Sequence, residues 1–261
     1  MKEKTNRLGT FYLSLFFVIL YLPVLSVILY SFNASCSTAQ WTGWTLDWYR
    51  QLFSDRVIAQ SFRVSIVVAV LTSLLSAVLG TFTAVVSQWV TARMKTAIQG
   101  MMILPLIVPE VALGVSLLFF FNALGLPFGT LTLVLSHSLF CVPYVYIMVR
   151  LRLQEIDKSI IESALDLGAS TLQMVRTIIL PLVAPSILTA ALLCLAMSLD
   201  DVIISTYMSG PRSTTLPVHI FSMMRVGVTP KVNALCTLIL MGTFFIIGLS
   251  QLVTKNRRFA K

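Results

Sequence analysis

The sequence predicts an all-α integral membrane protein with six transmembrane helices and both termini on the cytoplasmic side. Three observations carry this expectation. The chain is 57% hydrophobic and only 11% charged over 261 residues, with a mean hydropathy of +0.90, and a soluble domain of that make-up would lack the polar side chains to cover its surface. Six apolar stretches reach bilayer-crossing length: residues 10–32, 64–89, 98–122, 131–149, 183–208 and 232–253. Of the nineteen Lys and Arg residues, thirteen flank the stretches on the side shared by both termini; Arg50, Arg56, Arg63, Arg212, Arg225 and Lys231 take the other side. Positive residues stay cytoplasmic, so both termini are placed inside.

The elements follow in order. A basic tail precedes the first stretch, which is too long for a signal-peptide core and shows no small-residue cleavage site, so it reads as a retained span. The outer loop of residues 33–61 carries Trp41, Trp44, Trp48, Tyr49 and Phe53, and Trp44, Trp48 and Gln51 fall on one face of a short helix beside Leu52. Two readings fit it: a helix lying at the headgroup level, or an aromatic mouth that meets cations, with Trp41 in it. The third stretch contains Pro105 and Pro109, and the fourth Pro143. Such breaks survive in lipid only where protein or a water-filled cavity satisfies the freed carbonyls. In the outer loop of residues 209–231, Leu216, Ile220, Met223 and Met224 recur at helical spacing, as in an amphipathic helix. Neither an internal repeat nor a soluble segment appears, so residues 1–261 read as a single membrane domain.

Several function classes are excluded. The net charge of +9 is distributed over the ends of the spans and forms no patch for nucleic acid. Cys36, Cys141, Cys194 and Cys236 form no C-x-x-C pair and read as small packing residues, with neither a disulfide nor a metal site. No G-x-x-x-x-G-K-[ST] occurs, so the chain has no phosphate-binding loop for ATP. No nucleophile–base or metal constellation appears either, so the sequence implies no enzyme and no cofactor. His137, in mid-span, reads as a hydrogen-bonded packing residue.

Three acids mark a pathway. Glu110 follows the Pro109 break, and Asp200 and Asp201 lie late in the fifth stretch. A carboxylate at the bilayer centre costs about 2.5–3.5 kcal/mol, so each is expected to face a cavity or a partner. No Lys or Arg within a span can pair with them. Neighbouring helical residues point about 100° apart, so at most one of Asp200 and Asp201 is expected to be a simple cap and the other to see solute. Uncompensated acids suit a cationic solute that supplies the missing charge in transit.

Between the fourth and fifth stretches lies the polar segment ESALDLGASTLQMVRTIILP, residues 162–181. Ser159 with Glu162, and Ser170 with Gln173, each fit a capping box. Gly168 between them permits the left-handed backbone that ends a helix. The segment thus reads as helix, glycine hinge, helix, the second running to residues 178–180 before Pro181.

Glu162, Ala164, Gly168, Ile178, Leu180 and Pro181 fit the pattern E-A-A-x3-G-x9-I-x-L-P, with Ser163 in place of the second Ala. In this the chain resembles the permease subunits of ATP-binding-cassette importers. SFNAS at residues 31–35, SLDDVIIS at 198–205, SGP with LP across 209–217 and VGVTPKVNAL at 226–235 resemble the second permease of bacterial spermidine/putrescine importers. The resemblance implies a type I importer fold in the bacterial inner membrane, with cytoplasmic coupling helices in the loop of residues 154–182. It implies coupling to the ATPase through Glu162, Ser163, Ala164, Asp166, Gly168, Ile178, Leu180 and Pro181; the substrate pathway expected at Glu110, Asp200, Asp201 and Trp41 rests on the span acids and the outer-loop aromatics themselves. The partners implied are a second permease, two ATPase subunits and an extracytoplasmic polyamine-binding protein. Lys231 stands where the resemblance leads one to expect an acid. A permease for another small solute and a self-contained cation transporter are the competing expectations; the latter predicts an inverted repeat that the spans do not show.

Overall fold

The computed structural model describes residues 7–36 and 40–258, and its regular elements among these are helical. Two compact units divide the chain, residues 1–59 with 220–261, and residues 60–219.

In the first unit, α1 (Arg7–Tyr30) packs with α12 (Pro230–Arg258), and α12 packs in turn on α2 (Asp47–Ser54). No residue of the apolar window of α1 is buried. The segment after it is organised by Asn33, which is fully buried. Its Nδ2 donates to the Gln40 carbonyl at 2.7 Å, and its Oδ1 accepts from the backbone N–H groups of Thr42 at 3.1 Å and Ser35 at 3.3 Å. The Asn33 carbonyl accepts from Trp48 Nε1 at 2.7 Å. One side chain therefore closes a loop whose backbone groups would otherwise be unpaired. Trp44 is bridged to Asn33 ahead of α2 and is not part of that helix. Asp55 caps the next helix through the N–H groups of Val57 and Ile58 and also bonds Lys231 Nζ at 2.8 Å. Lys231, standing where the resemblance leads one to expect an acid, is thus paired with a carboxylate.

The second unit is built around α6 (Thr130–Gln154), the most deeply buried of the long apolar helices. It follows α3 (Arg56–Val86), α4 (Ala92–Ile107) and α5 (Glu110–Ala123). Gly80 of α3 lets the chain approach α6 closely: a Cβ there would stand 2.6 Å from Val145 Cβ. Beyond α6 come α7 (Lys158–Asp166), α8 (Thr171–Met174), a π turn at Val175–Ile179, α9 (Leu180–Asp200) and α10 (Ile203–Met208), then α11 (Leu216–Val226). α6 packs on α9, α4 and α10, and α5 packs on α10. Cys141 and Cys194, both buried, face each other in the α6–α9 contact, each thiol directed at the other's carbonyl. As expected, they are packing residues there.

Among the described residues four helices are long and apolar enough to cross a membrane: Gly9–Tyr30, Arg56–Val86, Thr130–Gln154 and the continuous stretch Thr171–Asp200. The expected span of residues 98–122 is two helices, α4 and α5, bent by 106° where Pro109 removes a backbone donor. The expected span of residues 183–208 also breaks, at Asp201, between α9 and α10. The sixth expected stretch falls in α12, of which Pro230–Phe244 is an apolar helix.

Two local expectations are corrected. The first helix of the polar segment starts at Asp157, whose side chain accepts from Ser159 N–H at 3.0 Å; Ser159 is not the cap. An aspartate two residues upstream satisfies the open donor before the serine can. Pro181 does not end the second helix, because the π turn ahead of it widens the ring, with Leu180 N–H bonded to the Val175 carbonyl. The missing proline N–H is absorbed in that wider turn and the helix continues into α9.

Candidate functional site

Glu110, Asp200 and Asp201 converge. With Phe140, Met197, Val202 and Ile203 they line a cavity of about 320 Å³ in the second unit, within the range of roughly 300–1,000 Å³ usual for small-ligand sites. Both helix breaks serve this arrangement. Pro109 ends the bend after α4, so that α5 opens on Glu110, with a carboxylate in its positive first turn. At the other break Asp201 adopts extended backbone, which stops α9 and turns its side chain onto α10. Its Oδ2 accepts from Ser205 N–H at 2.7 Å and its Oδ1 from Ile204 N–H at 3.4 Å. Gly114 lets α5 lie close against Tyr207 of α10, which holds the two breaks together.

The three acids differ in environment. Asp201 is buried at 8% exposure and works as a cap, whereas Glu110 and Asp200 are exposed. Of the adjacent pair, Asp201 leaves the helix in extended backbone and caps α10, while Asp200, the last residue of α9, opens outward. Among the described residues no Lys or Arg forms an ion pair with any of the three. The cavity is therefore an acidic pocket with an apolar wall from Phe140, Met197, Val202 and Ile203, able to receive a cation with an aliphatic body.

Trp41 is placed elsewhere, in an aromatic group of the first unit. Its ring meets Trp44 edge-on at 5.0 Å and Tyr30 at 6.2 Å. His137, by contrast, lies directly behind the cavity and is fully buried, with Nε2 3.3 Å from Asp201 Oδ2. The sequence reading of a hydrogen-bonded packing residue holds, with Ser198 and Ser205 as its partners, but nothing in the chain order links residue 137 to residue 201.

The polar segment forms a second candidate site. α7 ends in a Schellman closure: Gly168 has φ +82°, its N–H bonds the Leu165 carbonyl, and Ala169 N–H bonds the Ala164 carbonyl. Ser170 then caps α8 through Gln173 N–H at 3.3 Å. Ala164 is buried against its own unit, together with Met174 and Ile179, while Ile178 packs beside them. Glu162, Ser163, Asp166 and Gly168 are exposed, as is Pro181, with Leu180 half-buried. Leu165, Leu167 and Leu172 also stand exposed around the turn, Leu167 at 89%. Ala164 with Met174, Ile178 and Ile179 thus seats the turn on its inner side, and leucines and acids face outward.

The family model for the binding-protein-dependent transport system inner membrane component matches residues 76–257. The chain belongs to this family. Its relatives include the putrescine transport system permease protein PotI of Escherichia coli K12, 41% identical over 89% of this chain and 85% of that one. The spermidine/putrescine transport system permease protein PotC of Haemophilus influenzae is 36% identical, over 91% and 92% of the two chains. Among solved structures, a bacterial ABC transporter involved in import of the acidic polysaccharide alginate aligns over 98% of both chains, with a TM-score of 0.75 at 15% identity. The MetNI methionine ABC transporter aligns with a TM-score of 0.62 over 79% of this chain and 95% of that one, at 17% identity. These likenesses place the fold among the ABC importer permeases. Inner-membrane components of this family are transport subunits, and the apolar spans described above are what that role requires.

Proposed function

We propose that this chain is the permease subunit of an ATP-driven importer of polyamines, one half of a translocation pathway in the bacterial inner membrane. The observation that carries this reading is the cavity where Glu110, Asp200 and Asp201 meet without a basic partner among the described residues. A protonated di- or triamine supplies the charge that the pocket lacks, and its methylene groups suit the Phe140–Met197 wall. The relatives' putrescine and spermidine/putrescine names support the same class of solute.

In this reading the whole chain acts as one membrane domain with both termini inside. The turn around Gly168 faces the cytoplasm and docks on a separate ATPase. Glu162, Ser163, Asp166 and the exposed leucines form the contact, while Ala164, Ile178, Leu180 and Pro181 seat the turn on the spans. Two ATPase subunits, a partner permease and an extracytoplasmic polyamine-binding protein complete the assembly. Closure of the ATPase dimer tilts the turn, and the continuous helix of residues 171–200 carries that movement to Asp200. A stiff helix linking the turn to the acidic cavity is what such coupling requires.

The test is reconstitution of the complex in liposomes with its ATPase, partner permease and binding protein. Polyamine is expected to stimulate ATP hydrolysis and to accumulate inside. A charge pair about 4 Å apart is worth about 1–4 kcal/mol for effective dielectric constants of 80 to 20, and the exposed acids belong at the lower end. Glu110→Gln combined with Asp200→Asn is therefore expected to weaken putrescine binding about tenfold. Wild-type binding and uptake by that double variant would sink the proposal.

A further inference from the structure

A buried histidine sits behind the acidic cavity on a different helix from the acid it meets. His137 Nδ1 is 2.7 Å from Ser198 Oγ on α9, and its Nε2 is 3.1 Å from Ser205 Oγ on α10 and 3.3 Å from Asp201 Oδ2. His137, Ser198 and Ser205 are all buried. A neutral ring with its proton on Nε2 satisfies every group. Ser198 O–H donates to Nδ1, and Nε2–H points at Ser205 Oγ and the Asp201 carboxylate. One turn further along α6, Phe140 tilts against the imidazole with ring centres 5.5 Å apart and lines the cavity on its other side.

We propose that His137 is a positioning residue for the cation site: it fixes the Asp201 carboxylate through Nε2 and ties α6 to the break between α9 and α10. The inference rests on the cavity being the polyamine pathway. Without the ring, Asp201 keeps its two backbone donors but loses the one that comes from α6. The carboxylate is then held by α10 alone, and its orientation toward the cavity is no longer fixed from α6. The consequence falls on how tightly the cation is held and leaves the rate of ATP-driven turnover alone.

The experiment uses the reconstituted complex, with equilibrium binding of radiolabelled putrescine to the complex without its binding protein, and turnover measured separately. His137→Gln carries an amide N–H near the position of Nε2, whereas His137→Asn reaches only as far as Nδ1. Gln is expected to keep the dissociation constant within about twofold, and Asn to raise it about tenfold with turnover unchanged. Asp201→Asn is expected to raise it similarly, and His137→Asn with Asp201→Asn no further, because the two act through one contact. Ser198→Ala keeps the ring but frees Nδ1, and is expected to weaken binding in the same direction with assembly intact. Equal behaviour of Gln and Asn, additive effects in the double variant, or wild-type binding by Ser198→Ala would overturn the proposal. If Glu110→Gln, Asp200→Asn and Asp201→Asn all bind putrescine like wild type, the pathway reading fails and this inference falls with it. If those acids matter and His137→Asn does not, the positioning role alone is refuted.

Discussion

Substitution of Gly114 by alanine tests whether the close packing of α5 on α10 sets the geometry of the acidic cavity. A Cβ on residue 114 would lie 2.6 Å from Tyr207 Cδ2 and 3.1 Å from Cε2. Ordinary contact begins near 3.4 Å, so ring and helix must separate by about 0.8 Å. Cδ2 belongs to the body of a rigid ring on a half-buried residue, so rotation at the end of a flexible chain cannot relieve the clash. Overpacking of this kind costs about 1–3 kcal/mol, which lowers the unfolding midpoint by about 3–10 °C for a unit of this size. Glu110 lies one turn from Gly114 on α5, and Asp201 caps α10, so the same displacement widens the gap between two of the three acids. The assay pairs thermal unfolding of the purified complex with putrescine binding. Gly114→Ala is expected to lose both stability and affinity, and Tyr207→Leu in the same chain, by removing the ring, is expected to restore much of the stability. A Gly114→Ala protein with wild-type midpoint and wild-type affinity would show that α5 and α10 do not meet as described.

Two further perturbations follow from other contacts. Asp55 is held below its ordinary value of 3.8 chiefly by the Lys231 hydrogen bond, with the Ile58 and Val57 N–H groups adding to it and burial opposing. A depressed carboxylate contributes stability above its unfolded value and loses it as pH falls through the folded one. Asp55→Asn is therefore expected to cost about 1 kcal/mol at pH 7 and to flatten the loss of stability below about pH 4; an acid profile identical to wild type would refute the pair's contribution. At Gly168, φ is +82° and a Cβ would meet nothing within 4 Å, so substitution there tests backbone alone. Left-handed backbone costs an ordinary residue about 1–2 kcal/mol and asparagine less. Gly168→Asn is expected to retain polyamine-stimulated ATP hydrolysis and Gly168→Val to lose most of it, and equal stimulation in the two would remove the hinge from the coupling path.

How much of this was legible in the sequence depends on the range of the interaction. Gly168 as a left-handed terminator and Ser170 as a cap were readable, because each acts within a few residues and leaves a local signature. The bend at Pro109 was readable as a break, since proline removes a donor wherever it stands, but not as 106°, because a missing donor permits a bend without fixing its angle. The start of α7 was misplaced because Asp157 and Ser159 are both capping residues, and only geometry shows which of them reaches the open N–H. Likewise Pro181 looks like a stop until the π turn ahead of it is seen. Least legible was the partner of Asp201. Residues 137 and 201 are joined only by the packing of α6 on α9 and α10, and no periodicity in one chain reports that. The same holds for Lys231, whose pairing with Asp55 links positions 176 residues apart.

The inequality among the three acids bears on how a membrane protein can keep a negatively charged cavity at all. Three free carboxylates in one apolar unit would repel one another and resist insertion. Here Asp201 is held by two backbone N–H groups and faces a ring nitrogen, so its charge is solvated by fixed dipoles before any solute arrives. Glu110, exposed, stands in the first turn of α5, where the helix dipole favours a negative charge. Asp200 takes neither role, and its exposure leaves water to solvate it until a cation does. Fixed donors therefore stabilise the buried charge and water the exposed one, so that in the proposed pathway an arriving cation would displace water at Asp200 and meet an oriented carboxylate at Asp201. Such an order would let the proposed site fill from its exposed acid inward without first dismantling the Asp201 cap that holds the start of α10.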